Sequence, residues 1–214
     1  MTGGLIVCLL MLAAVVLARL PVWDHFGTPL CYLQFYVTDT CRITIQEWGK
    51  EGTDPDGECV QVRMVWLDGR VYKCQFEVSD RVVDSWVCDL DGDENPEAVV
   101  VSQSFGTGVY GMLYVVTITT NGLSLIEETA LVGEMDEGYE GHDSYRRAGS
   151  KKIVRLFPVR ESNGRYIGRV RRIVYVLKDK QLIVSESQDI SEMPADWLLD
   201  KDPQPEVEST FITE

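Results

Sequence analysis

The sequence has few of the residues that build zinc sites and histidine-dependent active sites. It holds 2 histidines and 6 cysteines among 214 residues, with no CxxC pair and no cluster of cysteine and histidine. Zinc binding and thiol redox chemistry depend on such clusters, so both are disfavoured. His142 precedes Asp143 and Ser144, but adjacent residues do not form a catalytic triad, whose members meet across a fold. We therefore expect a protein that is not an enzyme.

Helical periodicity is missing after Thr28, and no segment repeats, which excludes a complete propeller. Short runs of β-branched and aromatic residues alternate with turn signals instead, as antiparallel strands do. Asp68-Gly69 and Asn121-Gly122 predict hairpin turns, and Leu125 to Met135 suits a short helical turn. We predict an all-β fold, an antiparallel β-sandwich or partly closed barrel of about eight strands. The strand-like runs are YLQFYVT, RITIQEW, CVQVRMVWL, RVYKCQFEV, AVVVSQS, GMLYVVTIT, KIVRLFPV, RRIVYVLK and QLIVSES.

The single long apolar run lies at the N-terminus. Leu5 to Ala18 is apolar, and Val16-Leu17-Ala18 resembles a cleavage signal for export. The run is shorter than the roughly 20 residues that cross a bilayer. No Lys or Arg precedes it, so an uncleaved tether is the alternative, and we expect membrane contact only in that case. We predict a periplasmic or secreted protein. Its predicted organisation is an export segment at 1–18, a linker at 19–30, a sandwich domain at 31–186 and an acidic, largely disordered tail at 187–214.

Removal of the export segment would leave an odd number of cysteines. The five are Cys31, Cys41, Cys59, Cys74 and Cys88. An exported chain is expected to form disulfides, for instance between Cys74 and Cys88 across the turn near Asp80, although spacing does not fix the pairing. The alternative is that several of these cysteines are buried thiols.

Positive charge is scarce and unevenly distributed in this chain of net charge -14. Residues 1–145 hold 23 acids against seven basic residues, whereas residues 146–172 hold ten Lys or Arg against one acid. The acidic part would attract a basic protein and repel both nucleic acid and anionic membrane. Basic and apolar residues alternate in the second part, which favours a solvated strand face or internal charge partners over a nucleic-acid site. We therefore expect a protein partner and no nucleic acid.

An acidic loop with alternate oxygen-bearing side chains follows Cys88. Such oxygens suit Ca²⁺, and Gly92 lies where the backbone would have to turn. The loop is not an EF-hand, because the twelfth position counted from Asp89 is Val100 and not Glu. The alternative is a turn whose side chains bond their own backbone. The candidate calcium ligands are Asp89, Asp91, Asp93, Asn95 and Glu97.

A glycine-bracketed loop forms the next motif. Its glycines permit close approach and positive φ, and Tyr110 offers a rigid aromatic anchor with a hydroxyl at its tip. The alternative is an ordinary hairpin in which Tyr110 packs on a neighbouring strand. The loop residues that we single out are Ser104, Gly106, Thr107, Gly108, Tyr110 and Gly111.

Several motifs in a fixed order resemble the periplasmic inhibitors of invertebrate-type lysozyme. The similar region is roughly 70–184. In chain order, its motifs are the DxDGDxxPE loop at 89–97, TGVYG at 107–111, GYEGHD at 138–143, RLFP at 155–158 and RRIVY at 171–175.

The resemblance implies a β-sandwich that inserts a Ser-Gly-x-Tyr loop into the substrate cleft of a lysozyme. The partner that it implies is a lysozyme of the invertebrate type (I-type). The serine position falls on Thr107, which keeps the hydroxyl and adds a methyl group, and the tyrosine position falls on Tyr110. Tyr139, His142 and Asp143 are expected to support the loop. One alternative is a calcium-dependent adhesion module of FG-GAP character, which normally has repeats. Another is a carboxylate-dependent glycan hydrolase, for which no acid pair is singled out.

Overall fold

The computed structural model describes residues 30–49, 58–78, 80–104 and 106–192. They form twelve strands and one short 3-10 helix, so the all-β prediction is confirmed. No helix in these ranges is long and apolar enough to span a membrane. The predicted export segment, almost all of the linker and residues 193–214 of the predicted tail lie outside the described residues.

The strands form three antiparallel sheets of four, and none of these closes into a barrel. The first sheet has the order β1-β2-β3-β4, the central sheet β5-β6-β7-β8 and the third sheet β12-β11-β10-β9. The sandwich prediction is therefore confirmed, with twelve described strands where about eight were expected. The strands are β1 (Leu30–Val37), β2 (Cys41–Gly49), β3 (Glu58–Trp66), β4 (Val71–Val78), β5 (Arg81–Cys88), β6 (Glu97–Gln103), β7 (Gly111–Thr119), β8 (Gly122–Glu127), β9 (Ser144–Arg147), β10 (Ile153–Arg160), β11 (Tyr166–Lys178) and β12 (Gln181–Ile190).

The central sheet is covered on both faces. Val100 and Val116 pack into a core with the first sheet, whereas Val99 and Val115 pack into a second core with the third sheet. A strand buried on both faces has no reason to alternate apolar with polar residues. This double burial explains the continuous apolar run in β6, and it makes the molecule a sandwich of three layers.

The nine predicted runs all correspond to strands, but β5, β8 and β9 were not predicted. β5 carries Asp84 and Ser85 at its centre, and its register shifts between Val82 and Asp84. This irregularity breaks the two-residue period on which the prediction depends. β8 and β9 are short, with 6 and 4 residues. The expected helical turn is the 3-10 helix Gly133–Met135.

Both predicted hairpin turns are present. Gly69 lies in the β3–β4 turn with φ 87°, and its N–H donates to the Trp66 carbonyl at 3.0 Å. Gly122 pairs with Thr119 as β7 turns into β8. At the other end of the domain, β12 pairs with β11 as far as Ile190, so the sheet extends past the boundary predicted at residue 186.

The four cysteines whose side chains the structure describes are all free. Cys74 packs against the first core and Cys88 lies in the second, so the suggested Cys74–Cys88 disulfide does not form in this structure. Burial raises the pKa of the Cys88 thiol to about 12. The side chain of Cys31 lies outside the described part.

The basic stretch supplies charge partners within the third sheet. Arg169 donates to Asp189 at 3.1 Å, and Arg172 donates to Glu186 at 2.8 Å. Both pairs join β11 to β12, as the prediction of internal charge partners requires.

Candidate functional site

The glycine-bracketed loop joins β6 to β7 and closes on itself through Ser104. The Ser104 N–H donates to the Tyr110 carbonyl at 2.9 Å, and the Tyr110 N–H donates to Ser104 Oγ at 2.8 Å. Thr107 at the tip is exposed, and the Tyr110 side chain is 50% exposed. The loop therefore presents two hydroxyl-bearing residues on a backbone that is pinned at its base.

Positive φ occurs in this loop at Val109, with φ 45°, and not at the flanking glycines. The expectation that Gly106, Gly108 and Gly111 supply positive φ is therefore wrong. Two of them are required by close approach instead. A Cβ at Gly108 would overlap the Tyr110 ring, and a Cβ at Gly111 would lie 2.8 Å from the Cβ of Asp143.

The segment that contains GYEGHD lies directly against the loop. The His142 N–H donates to the Gly108 carbonyl at 2.5 Å and to the Val109 carbonyl at 3.1 Å. Gly141 has φ 81°, and a Cβ there would overlap the Gly108 carbonyl oxygen. The two backbones thus touch at a position where a larger residue does not fit.

Asp143 fastens the loop to the third sheet. Its Oδ2 accepts hydrogen bonds from the Gly111 N–H at 2.8 Å and from the Tyr139 hydroxyl at 2.6 Å. Its Oδ1 accepts from Arg155 Nε at 2.6 Å, and the side chain has no solvent exposure. The buried carboxylate therefore fixes the start of β7 through three donors.

Arg155 extends this network to Glu128. Its Nη1 donates to Glu128 Oε1 at 2.8 Å, and the residue is 4% exposed. The hydroxyls of Tyr145 and Tyr175 also donate to Glu128, the first at 2.7 Å. Burial raises the pKa of both tyrosines, and the Glu128 charge raises it further. Both hydroxyls consequently stay protonated and act as donors to the carboxylate.

Edge-to-face contacts between aromatic rings support Tyr110. The rings of Tyr110 and Tyr139 meet edge to face at 5.8 Å, and those of Tyr139 and Phe157 at 4.8 Å. The Arg155 guanidinium lies 4.9 Å from the Tyr139 ring centre. Tyr110 thus packs on a neighbour, as the hairpin alternative proposed, and still exposes half of its side chain.

A shallow depression of about 490 Å³ lies beside the loop. Glu140 and Arg160 approach within 3.8 Å across it. Its walls therefore carry one acidic and one basic side chain next to the exposed tyrosine. The lining residues are Thr107, Gly108, Tyr110, Glu140, His142 and Arg160.

Sequence reasoning found the loop and its neighbours Tyr139, His142 and Asp143, but it missed Glu128, Arg155 and the tyrosines around them. Arg155 belongs to the RLFP motif at 155–158. The alternating pattern of its strand does not tell whether an arginine side chain lies on the exposed face or on the buried face. Glu128 follows β8 directly and has no sequence motif around it. The pair becomes visible only when the central and third sheets pack together.

The acidic loop between β5 and β6 brings three of the five predicted ligands together. Carboxylate oxygens of Asp89, Asp91 and Glu97 lie within 4.8 Å of one another. Glu97 is fully buried, and its two oxygens accept from the Leu90 N–H at 2.7 Å and from the Thr117 hydroxyl at 2.9 Å.

Backbone donors occupy much of the remaining acidic loop. Asp89 Oδ1 accepts from the N–H groups of Gly92 at 2.7 Å and Asp93 at 3.1 Å. Asp93 Oδ1 accepts from the Asn95 N–H at 2.8 Å. These contacts are those of a turn whose side chains bond their own backbone, which was the alternative to a calcium site.

A lysine ammonium also enters this loop. Lys180 Nζ donates to Asp91 Oδ2 at 2.8 Å and to Thr117 Oγ1 at 3.1 Å, and it lies 3.6 Å from Asp93. The oxygens are of the type that Ca²⁺ prefers, but protein donors already satisfy most of them. The loop therefore has an internal cation, and the donor set fits calcium only where calcium displaces Lys180.

No protein-family model matches the chain, and no curated protein sequence matches it. A similar solved structure is that of PliI-Ah, a periplasmic lysozyme inhibitor of I-type lysozyme from Aeromonas hydrophyla. The two share 21% sequence identity with a TM-score of 0.37, over 49% of this chain and 95% of that chain. Similarity at this level does not by itself assign a function.

Replacement of Arg155 by methionine should lower the free energy of unfolding by about 3–5 kcal/mol, because Asp143 and Glu128 would remain buried without a counter-charge. The same substitution at Arg172, whose partner Glu186 is largely exposed, should cost less than about 1 kcal/mol. Denaturant unfolding of both variants measures the difference. Equal losses would show that the network does not hold the fold.

Protein stability should fall as pH rises from about 4.5 to 7, because burial raises the pKa of Glu97 from 4.5 to about 7. Between these values the unfolded chain has lost this proton while the folded chain keeps it, so deprotonation favours unfolding. The shift corresponds to about 3 kcal/mol at full ionisation. Unfolding experiments in EDTA should show this fall in the wild type and in exposed Glu94→Gln, but not in Glu97→Gln. An unchanged profile in Glu97→Gln would contradict the assignment.

Proposed function

We propose that this protein is a lysozyme inhibitor that acts outside the cytoplasm by inserting the loop 106–111 into the substrate cleft of an invertebrate-type lysozyme. The observation that carries the proposal is the half-exposed Tyr110 in a loop that is pinned to a buried charge network. Of the motifs that resemble this inhibitor family, TGVYG forms that loop, GYEGHD lies against it, and RLFP supplies the Arg155 that holds Asp143. The proposal therefore joins a sequence resemblance to a local geometry that suits it.

The catalytic chemistry of lysozymes makes them susceptible to inhibition by such a loop. Glycosidases of this kind use two carboxyl groups whose protonation states must differ. A hydroxyl held against either carboxyl would displace the substrate and disturb that difference. Thr107 and Tyr110 place hydroxyls at two points of one narrow projection, so each could meet a different group in the cleft.

The rigid support reduces the entropic cost of binding. A loop that is ordered before it meets its partner loses less conformational freedom on association. Here the loop backbone is held by His142 and Asp143, and the ring of Tyr110 is held by Tyr139. Preorganisation of this kind lets a small contact area bind tightly.

The charge around the loop favours a basic target. A groove of about 1000 Å³ adjoins the depression beside the loop, and its walls carry five acidic residues, among them Glu134, Glu137 and Glu140, against three arginines. Acidic groups beside a binding loop speed the approach of a basic protein and make the association rate fall as salt increases. This surface complements an enzyme that itself binds anionic cell-wall polymers.

Tyr110→Ala should weaken inhibition by roughly 2 kcal/mol or more, about 30-fold, because it removes the aromatic anchor of the loop. The measurement is a titration of purified protein into invertebrate-type, chicken-type and goose-type lysozymes while lysis of purified cell wall is followed. Selective, stoichiometric inhibition of the invertebrate type is expected, with or without EDTA.

Phe35→Ala is the matched control, since Phe35 is an exposed aromatic residue on the first sheet, far from the loop. It should inhibit like the wild type. If correctly folded Tyr110→Ala had the same inhibition constant as the wild type, the loop would not be part of the mechanism. Failure to inhibit any of the three lysozymes would reject the proposed function.

Gly141→Ala should weaken inhibition by roughly tenfold or more, because its methyl group would push the Gly108 carbonyl and move the loop. Gly149→Ala is the control for backbone strain. Gly149 has φ 69°, so alanine is strained there as well, but nothing lies within 4 Å of its added Cβ. Thermal unfolding gives the stability of both variants. If both inhibit equally, contact between the two backbones does not position the loop.

A further inference from the structure

The first sheet has an outer face that no other described sheet covers. Its inner face packs on the central sheet through residues such as Ile43 and Val62. The alternate residues of its four strands therefore point outward and line up in rows across the sheet. One row is Val37, Arg42, Val65 and Val71, and the next is Phe35, Thr44, Arg63 and Lys73.

Large apolar side chains are concentrated on this face. Phe35 is 62% exposed and Val37 61% exposed, and both lie on β1. Val71 is 45% exposed at the start of β4, and Leu67 is 75% exposed in the turn that precedes it. Single exposed apolar residues are common on soluble proteins, but four of them gathered at one end of one sheet form a patch of the kind that marks an interaction site.

Unpaired cations share the same face. Arg42, Arg63 and Lys73 form no ion pair with any residue in the described ranges. Asp68, in the adjacent turn, is already paired with Arg70 at 2.6 Å. Although the chain has net charge -14, three positive charges without an ion pair among the described residues thus lie beside this apolar patch.

We propose that the outer face of β1–β4 docks onto an anionic lipid surface. Basic side chains attract anionic headgroups, and apolar side chains beside them enter the boundary between headgroups and acyl chains. A second copy of the chain suits this face less well, since a symmetric contact would bring Arg42, Arg63 and Lys73 near their own copies. Single-stranded nucleic acid is bound by rows of stacking aromatics, and Phe35 is the one aromatic residue in the two rows.

The position of the face along the chain agrees with a lipid partner. The apolar run that ends at Ala18 lies 12 positions before Leu30, the first residue of β1. Twelve residues span at most about 40 Å, so a retained apolar segment would hold the first sheet within that distance of a bilayer. The loop that carries Tyr110 contacts the third sheet, on the other side of the central sheet. Docking of the first sheet would leave that loop exposed to solvent. The lipid proposal does not depend on lysozyme inhibition.

Binding of the full chain to vesicles tests the proposal. Phosphatidylcholine vesicles are compared with vesicles of phosphatidylcholine and phosphatidylglycerol at low salt, so that any insertion of the apolar run is common to all proteins. The wild type should prefer the anionic vesicles. Arg42→Glu/Arg63→Glu/Lys73→Glu should lose that preference by roughly tenfold or more, and added salt should weaken binding of the wild type.

The matched control is Lys152→Glu/Arg165→Glu/Lys178→Glu, which changes net charge equally at exposed positions on and around the third sheet. It should keep the preference of the wild type to within about twofold. Phe35→Ser/Leu67→Ser should weaken binding while it leaves thermal stability almost unchanged, because both side chains are exposed.

Three results would overturn the proposal. The first is equal binding of the wild type to both kinds of vesicle. The second is an equal loss in the two triple variants, which would assign the effect to net charge alone. The third is binding of a single-stranded oligonucleotide, abolished by the first triple variant, in a protein that ignores the anionic vesicles.

Discussion

Arg155 is the positive charge on which the candidate site depends. It lies between Asp143 and Glu128, both of them buried, and so balances two charges that could not otherwise remain in a core. Through Asp143 this balance reaches the first residue of β7 and the ring of Tyr139. A surface feature, the loop with Tyr110, thus takes its position from electrostatics inside the third sheet.

The three-layer arrangement makes that position rigid. The central sheet is buried on both faces, and the loop is a direct continuation of its two middle strands, β6 and β7. Two-sided burial resists the bending that would otherwise move a hairpin tip relative to its sheet. The first sheet therefore contributes to the loop indirectly, although it lies on the far side of the molecule.

The strand pattern could be predicted from the sequence because most strands expose one face and therefore alternate. β6 could be predicted too, since its continuous valines still favour a strand. β5 could not, because Asp84 and Ser85 interrupt its apolar pattern. The contact that accounts for Ser85 comes from the first sheet, where the Tyr36 hydroxyl donates to the Ser85 carbonyl at 2.6 Å. The number of packed sheets likewise depends on tertiary packing, and the two-residue period of a single strand carries no information about it.

The site was predictable where its chemistry is local. Glycine spacing indicated a tight loop at 106–111, but it placed positive φ on the glycines, whereas the structure has it at Val109. The Glu128–Arg155 pair joins residues 27 positions apart, one directly after β8 of the central sheet and the other on β10 of the third sheet. Sequence patterns describe neighbours along the chain, so such a pair stays hidden until the sheets are assembled.

Lys180 gives the acidic loop a counterion that is covalently part of the chain. A tethered ammonium is present at a fixed effective concentration, whatever the composition of the surrounding water. The arrangement of Asp91 and Asp93 around it is therefore set by the polypeptide and not by the medium. A domain built in this way keeps its shape in solutions that differ widely in mineral content.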